Sequence, residues 1–298
     1  MPASTRPLDS VHPYELSSNF RKKKFYYESF KSGAKPFLYT VSATGIPAVA
    51  TTAAGQGVVH EMITGNGFPW QVFNTTDQAV LPFCTAAAGL DISCDLVDNE
   101  AVELVPGGNF ANSQLAFVTG TDSNFYFWIK YKFTDVSGAD QAILCGFRKQ
   151  EAFAVPTSLL TTGDGIYTDF AGIGLSEEDG VDIKTMTDLN NAGSTVVTDT
   201  GFDLTDSEVF TLEVRVIGRV AKYYINGVEI GNPVAFDGDG TAITSQATLS
   251  AAAFTFDSGD TLVPFIFFRH DDEVGNGCTI QEIEIGHLVD KGLDEGAE

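Results

Sequence analysis

Between Asn124 and Phe133 the chain alternates strictly, with Phe125, Phe127, Ile129 and Tyr131 on one side and Tyr126, Trp128, Lys130 and Lys132 on the other. A period of two is that of a strand with one face on a core and the other wetter. The pattern returns in VFTLEVRVIG, where Phe210, Leu212, Val214 and Val216 alternate with Thr211, Glu213 and Arg215. Gly218-Arg219 and then Asn226-Gly227 interrupt the apolar positions that follow, and Asn-Gly supplies the backbone conformations of a type I′ turn. The segment therefore predicts a three-stranded meander. Two more strands are expected at LVPFIFFRH and TIQEIEIGHL, and Pro264, which has no N–H to give a ladder, places the former at an edge or starts it after the proline.

From Val41 to Gly120 the apolar bursts are shorter, at 58–63, 70–73, 80–83 and 115–118, and are separated by Gly and Pro. They read as modest strands joined by long loops, either part of the main sandwich or a small extra unit. No segment carries four turns of helical periodicity, and the best candidate, GVDIKTMTDLNNAG, reads equally as a strand and a turn. Without crossover helices the layers must be antiparallel. The expectation is an all-β antiparallel sandwich over 113–288, preceded by a low-charge β/loop region over 41–112 and a basic arm over 1–40, and followed by an acidic tail over 289–298.

Composition sharpens this reading. The 23 Phe and 9 Tyr suit pleated, half-buried surfaces, and the 30 Gly suit the turns between them. Forty acidic residues against seventeen basic ones give a net charge of -23, a field that repels phosphate backbones, so nucleic acid is not an expected partner. There is no run of eighteen apolar residues and no apolar secretion signal at the N-terminus, which predicts neither a membrane span nor an ordinary secretory substrate. Cys84, Cys94, Cys145 and Cys278 form no CxxC pair; they are expected as buried thiols, with Cys84 and Cys94 the pair that would bridge if any did.

Seven of the seventeen basic residues fall at Arg6, Arg21, Lys22, Lys23, Lys24, Lys31 and Lys35, and none follows until Lys130. In RKKKFYYESF the charges are interleaved with Phe25, Tyr26 and Tyr27, so the segment Arg21, Lys22, Lys23, Lys24, Phe25, Tyr26, Tyr27 is expected to dock on an acidic face of a neighbouring copy, or else to be solvated or fold on its own domain.

The succession of the aromatic strand, ILCGFRK, FAGIGLSEEDGVDIKTMTDL, FTLEVRVIGRVAKYYINGVEIG and TIQEIEIG resembles the concanavalin A-like (laminin G-like) jelly roll. The wording of GFRKQEAF, VDIKTMTDLNNAGSTVVTDT, VAFDGDG and LVPFIFFRHDDE is similar to virion structural proteins of tailed phages, notably of marine and cyanobacterial hosts. Together these resemblances imply a non-enzymatic virion component, a capsid decoration, head-fibre or tail protein. It would work as a homo-oligomer, a trimer by resemblance, beside partners such as the major capsid protein. The alternative they imply is a glycan-binding module for host attachment, calcium-dependent or not, with a glycoside hydrolase or lyase as a third reading.

Candidate chemistry is sparse. Glucanases of this fold project closely spaced carboxylates from one strand in the form ExDxxE, one to attack and one to donate a proton. Here Glu282 and Glu284 share a face, but position 287 is His, and the simpler reading is the wet side of an edge or outer strand with Gln281, Ile283 and Ile285 inward. Tyr126 and Trp128 are candidate contacts for a glycan or a protein. Asp237 and Asp239 in DGDG, Asp271 and Asp272 in HDDE, and the SEEDGVD segment are candidate calcium loops, since calcium takes six to eight oxygens, and laminin G-like modules commonly carry such an ion on the rim. His60 lacks a second histidine at metalloprotease spacing, and GDGIYTDFAGIG lacks the lysine of a phosphate loop.

Overall fold

The computed structural model describes residues 20–30, 37–40, 59–64, 68–74, 83–85, 89–91, 101–107, 115–133, 141–151, 167–175, 181–190, 195–231, 235–236, 242–243, 249–251, 253–270 and 278–290. Two antiparallel sheets lie face to face. The eight-stranded sheet runs in the order β16 (Val228–Glu229), β15 (Val220–Ile225), β14 (Val209–Ile217), β9 (Phe125–Phe133), β20 (Cys278–Asp290), β6 (Gly89–Asp91) and β5 (Phe83–Thr85), and β1 (Phe20–Ser29) also pairs with β20. The ten-stranded sheet runs β13 (Val196–Asp203), β12 (Asp182–Leu189), β11 (Asp169–Leu175), β10 (Gln141–Lys149), β19 (Thr261–His270), β7 (Ala101–Pro106), β4 (Pro69–Asn74), β3 (Val59–Ile63) and β2 (Phe37–Thr40), with β8 (Phe117–Val118) also on β19. A small hairpin joins β17 (Ala235–Phe236) to β18 (Ala242–Ile243).

The chain changes sheet after β1, β4, β6, β8, β9, β13 and β19 and again between β16 and β19, and its earliest described strand lies beside its last. This is the all-β antiparallel sandwich that the sequence predicts. The region 41–112 supplies strands to both sheets, β3, β4 and β7 to one and β5 and β6 to the other. No described helix is long and apolar enough to cross a membrane.

The alternating residues do what their period demands. Phe125, Phe127, Ile129 and Tyr131 of β9 and Phe210, Leu212 and Val214 of β14 are buried between the sheets, against Ile143, Phe147, Ile173, Ile266 and Phe268 of the ten-stranded layer. Asn226 and Gly227 both have positive φ, as the type I′ turn between β15 and β16 requires. The Gly218-Arg219 turn has the same sign at both positions, and the Arg219 guanidinium donates to the carbonyl of Phe256 at 3.2 Å. The ambiguous GVDIKTMTDLNNAG is strand β12, ended by Asn190 at a φ of 58°.

Two expectations are corrected. Strand β19 is not at an edge and does not begin after its proline: Pro264 pairs with Phe147 of β10. It is tolerated because the pairing with β8 covers only Thr261 and Leu262 and that with β7 resumes at Ile266, so at the proline the strand has a ladder neighbour on one side only. Val263, Phe265 and Phe267 of the same strand form a second apolar cluster, on the far side of this sheet, with Phe73, Leu144, Phe170 and Met186. Burial on both faces explains why LVPFIFF shows no alternation.

The second correction concerns the basic arm. Residues Phe20–Ser29 fold on their own domain as β1, hydrogen-bonded to β20 of the same chain in a register that sets Lys22 opposite Leu288 and Tyr27 opposite Glu284. The register shifts between Lys24 and Tyr26, which leaves Phe25 as a bulge residue. That one extra residue flips the phase, so Lys24 and Tyr27 point outward while Tyr26 turns in and its hydroxyl accepts from Trp70 Nε1 at 3.0 Å. Close approach of the two backbones depends on Gly286, where a Cβ would stand 2.2 Å from the carbonyl oxygen of Lys23. Replacing Gly286 by Val is therefore expected to undock β1 without dissolving the sandwich: hydrogen-exchange protection over 20–29 should fall by about tenfold or more, while β9 and β14 keep theirs.

Candidate functional site

The outward positions of β1, β20, β9, β14 and β15 form one continuous surface. Cross-strand pairing places Trp128 of β9 between Glu213 of β14 and Glu284 of β20, and Tyr126 between Arg215 and Gly286. Lys130 lies between Thr211 and Glu282. Side chains two apart on a strand share a face, so the pairing alone brings acid, base and ring together in rows.

Each of these carboxylates is gripped. Glu213 accepts from Arg215 Nε at 2.6 Å and from Lys22 Nζ at 3.1 Å. Glu284 accepts from the Tyr126 hydroxyl at 2.6 Å and pairs with Lys24 Nζ at 2.8 Å. Glu282 accepts from Lys130 Nζ and from the Tyr27 hydroxyl, both at 3.2 Å. The cations also cover rings: Lys22 Nζ lies 4.6 Å from the centroid of Tyr126, Lys24 Nζ 5.2 Å from that of Tyr27, and the Arg215 guanidinium 4.0 Å from that of Tyr224. Tyr224 in turn donates to Glu229, which pairs with Lys222.

Depth differs within the pairs. The side chains of Glu213 and Glu284 are 2% and 9% exposed, whereas those of Lys24 and Lys222 are 46% and 44% exposed, and Tyr27 is 41% exposed. A ligand approaching this face meets the ammonium groups of Lys24 and Lys222 and the ring of Tyr27, with Glu282 and Glu229 half-buried and Glu213 and Glu284 buried beneath. Burial alone would raise the Glu213 carboxyl, but Arg215 and Lys22 outweigh it and hold the group below the ordinary carboxylate range.

The sequence expectations fall unevenly on this surface. Tyr126, Trp128, Glu282 and Glu284 come together with Lys22, Lys24 and Tyr27 of the supposed arm. Lys23 and Phe25 do not join them: Lys23 pairs with His287 on the other phase of the strand, and the Phe25 ring stands edge-on to His287 at 4.4 Å and stacks on Phe117 at 6.4 Å. Arg21 pairs with Val289 in β1. Strand β20 is not an edge or outer strand, since β9 and β1 flank it, and Glu284 is buried rather than solvated. A bulge at Gln281, itself buried, sets Ile280, Ile283 and Ile285 inward and Glu282 and Glu284 outward. Asp237, Asp239, Asp271 and Asp272 lie outside the described residues, as does Cys94. Cys145 and Cys278 are free and buried, and burial pushes the Cys145 thiol up to about 12, which leaves it inert as a nucleophile.

Two further charged clusters belong to the ten-stranded sheet. Arg148 donates to Glu103 at 2.6 Å, Tyr167 donates to the other oxygen of the same carboxylate, and all three side chains are buried. Burial raises the Glu103 carboxyl, against the pull of Arg148 and Tyr167. At the rim, oxygens of Asp169, Asp257 and Asp260 lie within 4.8 Å of one another, a spacing able to hold a cation. Sequence reading missed that group because 88 positions separate its first member from its second.

No protein-family model matches the chain, and no curated protein matches it either. Solved structures overlap it at low identity. A protein of unknown function from Shewanella oneidensis MR-1 is 12% identical, with a TM-score of 0.40 over 86% of this chain and 88% of its own. The potassium-bound carbohydrate recognition domain of Emp46p is 9% identical, with a TM-score of 0.47 over 73% and 88%. An endo-β-1,3-glucanase from Pyrococcus furiosus is 7% identical, with a TM-score of 0.43 over 90% and 95%. The chain is a two-sheet antiparallel β-sandwich by its own strand pairing, and these overlaps assign it neither ligand nor reaction.

Glu213 anchors the face, and its loss removes a buried counter-ion from Lys22 and Arg215. Glu213→Gln should cost about 3 kcal/mol at neutral pH in a denaturant titration. Because the folded carboxyl titrates below its ordinary value of 4.5, its contribution is complete above that pH and is lost as pH falls through the folded value. The gap between wild type and variant should therefore narrow in acid.

Proposed function

We propose that the chain is a non-catalytic glycan-binding sandwich, and that its ligand is a sugar chain bearing acidic groups which lies across the outer face of the eight-stranded sheet over Trp128. The observation that carries this reading is the make-up of that face, where the exposed Lys24 and Lys222, the half-buried Lys130 and the rings of Tyr27 and Trp128 stand among carboxylates that are all paired, Glu213 and Glu284 of them buried. A sugar ring offers flat C–H faces that stack on aromatic rings, and carboxylate or sulfate substituents find the ammonium groups. On a chain of net charge -23 such a face also tells a ligand where to land, because the protein's net field repels anions.

Hydrolysis is the weaker reading of the same residues. A glycosidase pair needs one carboxyl free to donate a proton and another free to attack. Here Glu282 is held by Lys130 and Tyr27, and Glu284 by Lys24 and Tyr126. The virion role expected from the wording of the sequence is not adopted, because its main physical support, a basic segment free to reach another copy, is spent inside the sheet.

The test is a glycan array containing neutral, uronate-bearing and sulfated chains, followed by titration of the strongest hit at two salt concentrations. Binding confined to acidic chains, weakening as salt rises and falling about tenfold or more in Trp128→Ala with an unchanged circular dichroism spectrum, is the expected outcome. An array blank for acidic glycans, or a hit indifferent to Trp128→Ala, contradicts the reading.

A further inference from the structure

Between β1 and β20 of the eight-stranded sheet and β8 of the ten-stranded sheet lies an open cavity of about 120 Å³, lined by Phe25, Leu115, Ala116, Phe117, Asp122 and His287. Three of its walls are rings, each from a different strand. Phe25 and Phe117 lie parallel, with 16° between their planes and 6.4 Å between centroids, and His287 stands across both, at 83° to Phe25 and 80° to Phe117. A group held there meets aromatic surface from two perpendicular directions.

The bulge in β1 puts the first of these rings in place. Phe25 has no partner in the ladder with β20, and it is left 49% exposed beside a buried Tyr26. The other walls are fixed from behind. Phe117 is buried, stacked on Phe125 at 4.4 Å and edge-on to Phe147 at 5.9 Å, and His287 lies opposite Phe125 in the pairing of β20 with β9. Two walls are therefore preformed, and the third faces solvent.

The remaining polar wall is acidic. Asp122 follows β8 and is steadied against it, since its Oδ2 accepts from the Val118 N–H at 2.5 Å while its own N–H donates to the Val118 carbonyl at 2.8 Å. Among the described residues no base pairs with Asp122, whereas Glu213, Glu282 and Glu284 each hold one. Lys23, opposite His287 in the pairing of β1 with β20, is exposed and does not line the cavity.

We infer that this cavity binds a small quaternary ammonium compound, with its trimethylammonium head among the rings of Phe25, Phe117 and His287 and beside the Asp122 carboxylate. The negative faces of aromatic rings attract a cation, and a quaternary ammonium has no N–H that needs an acceptor. A primary ammonium brings three donors, and a hard metal ion takes six to eight oxygens; one carboxylate satisfies neither. Size sets a further limit. An interior cavity of roughly 150 Å³ admits benzene, so about 120 Å³ takes a head group of about four or five heavy atoms and leaves any longer tail in solvent. The net charge of -23 concentrates cations around the chain, which favours the encounter. This site shares no side chain with the glycan-binding face and does not rest on that reading.

The test is a calorimetric titration of the full chain with choline chloride at constant ionic strength, beside 3,3-dimethylbutanol, the neutral carbon analogue of choline. One saturable site is expected for choline, with the analogue bound roughly tenfold more weakly or worse. Phe25→Leu, at an exposed position, keeps apolar bulk but removes the ring; Asp122→Asn keeps an oxygen for the Val118 N–H but removes the charge. Each should weaken choline by about fivefold or more with an unchanged circular dichroism spectrum. No saturable site for choline, equal binding of the neutral analogue, or unchanged affinity in Phe25→Leu overturns the site, and unchanged affinity in Asp122→Asn alone overturns the role given to the carboxylate. Phosphatidylcholine vesicles should leave the chain unbound, and binding to them without a response to choline overturns the assignment to a free solute.

Discussion

Strand β20 is the element on which the rest of the eight-stranded sheet depends, because it is hydrogen-bonded to β9 on one side and on the other to β1 and β6. It runs for 13 residues, and its inward side chains, Ile280, Ile283 and Ile285, complete the apolar layer that Phe127, Ile129 and Tyr131 begin. Its outward side chains are glutamates. A strand that supplies core on one face and carboxylates on the other must find cations for the second face, and the neighbour that supplies them comes from the start of the chain.

That requirement explains an uneven charge distribution that otherwise looks arbitrary. Buried carboxylates are costly unless paired and hydrogen-bonded. Glu213 and Glu284 lie in the middle of the sheet, where Arg215 and Tyr126 satisfy part of each, and Lys22 and Lys24 of β1 satisfy the remainder. The same lysines raise positive charge above the sheet, so one arrangement stabilises the fold and shapes the surface offered to a ligand. Structure and proposed function thus meet at a strand pairing between residues more than 250 positions apart.

The fold was largely legible in the sequence, for a definite reason. Strands with one core face and one wet face write their period into the residues, and Phe125–Phe133 and Val209–Ile217 do so without interruption. Strand β19 is buried on both faces, so its residues could signal a strand but not a position, and Pro264 pointed to an edge that the staggered ends of β7 and β8 make unnecessary. The candidate site was legible in part: Tyr126, Trp128, Glu282 and Glu284 could be assigned to faces by counting in twos. What counting could not find were the bulges at Phe25 and Gln281, each of which reverses the count, and the docking of β1, which local sequence does not encode. The Asp169, Asp257 and Asp260 group is a product of topology alone.

The claim that most needs a direct measurement is that β1 pairs with β20 of its own chain in the register that sets Ser29 opposite Glu282. Cross-strand partners have Cα atoms about 4.5–5.5 Å apart, within reach of a disulfide. Oxidation of the double variant Ser29→Cys, Glu282→Cys in dilute solution should give a monomer whose peptide map contains one link between residues 29 and 282. A link found only between chains, or no link at those positions while the protein remains folded, would contradict the account.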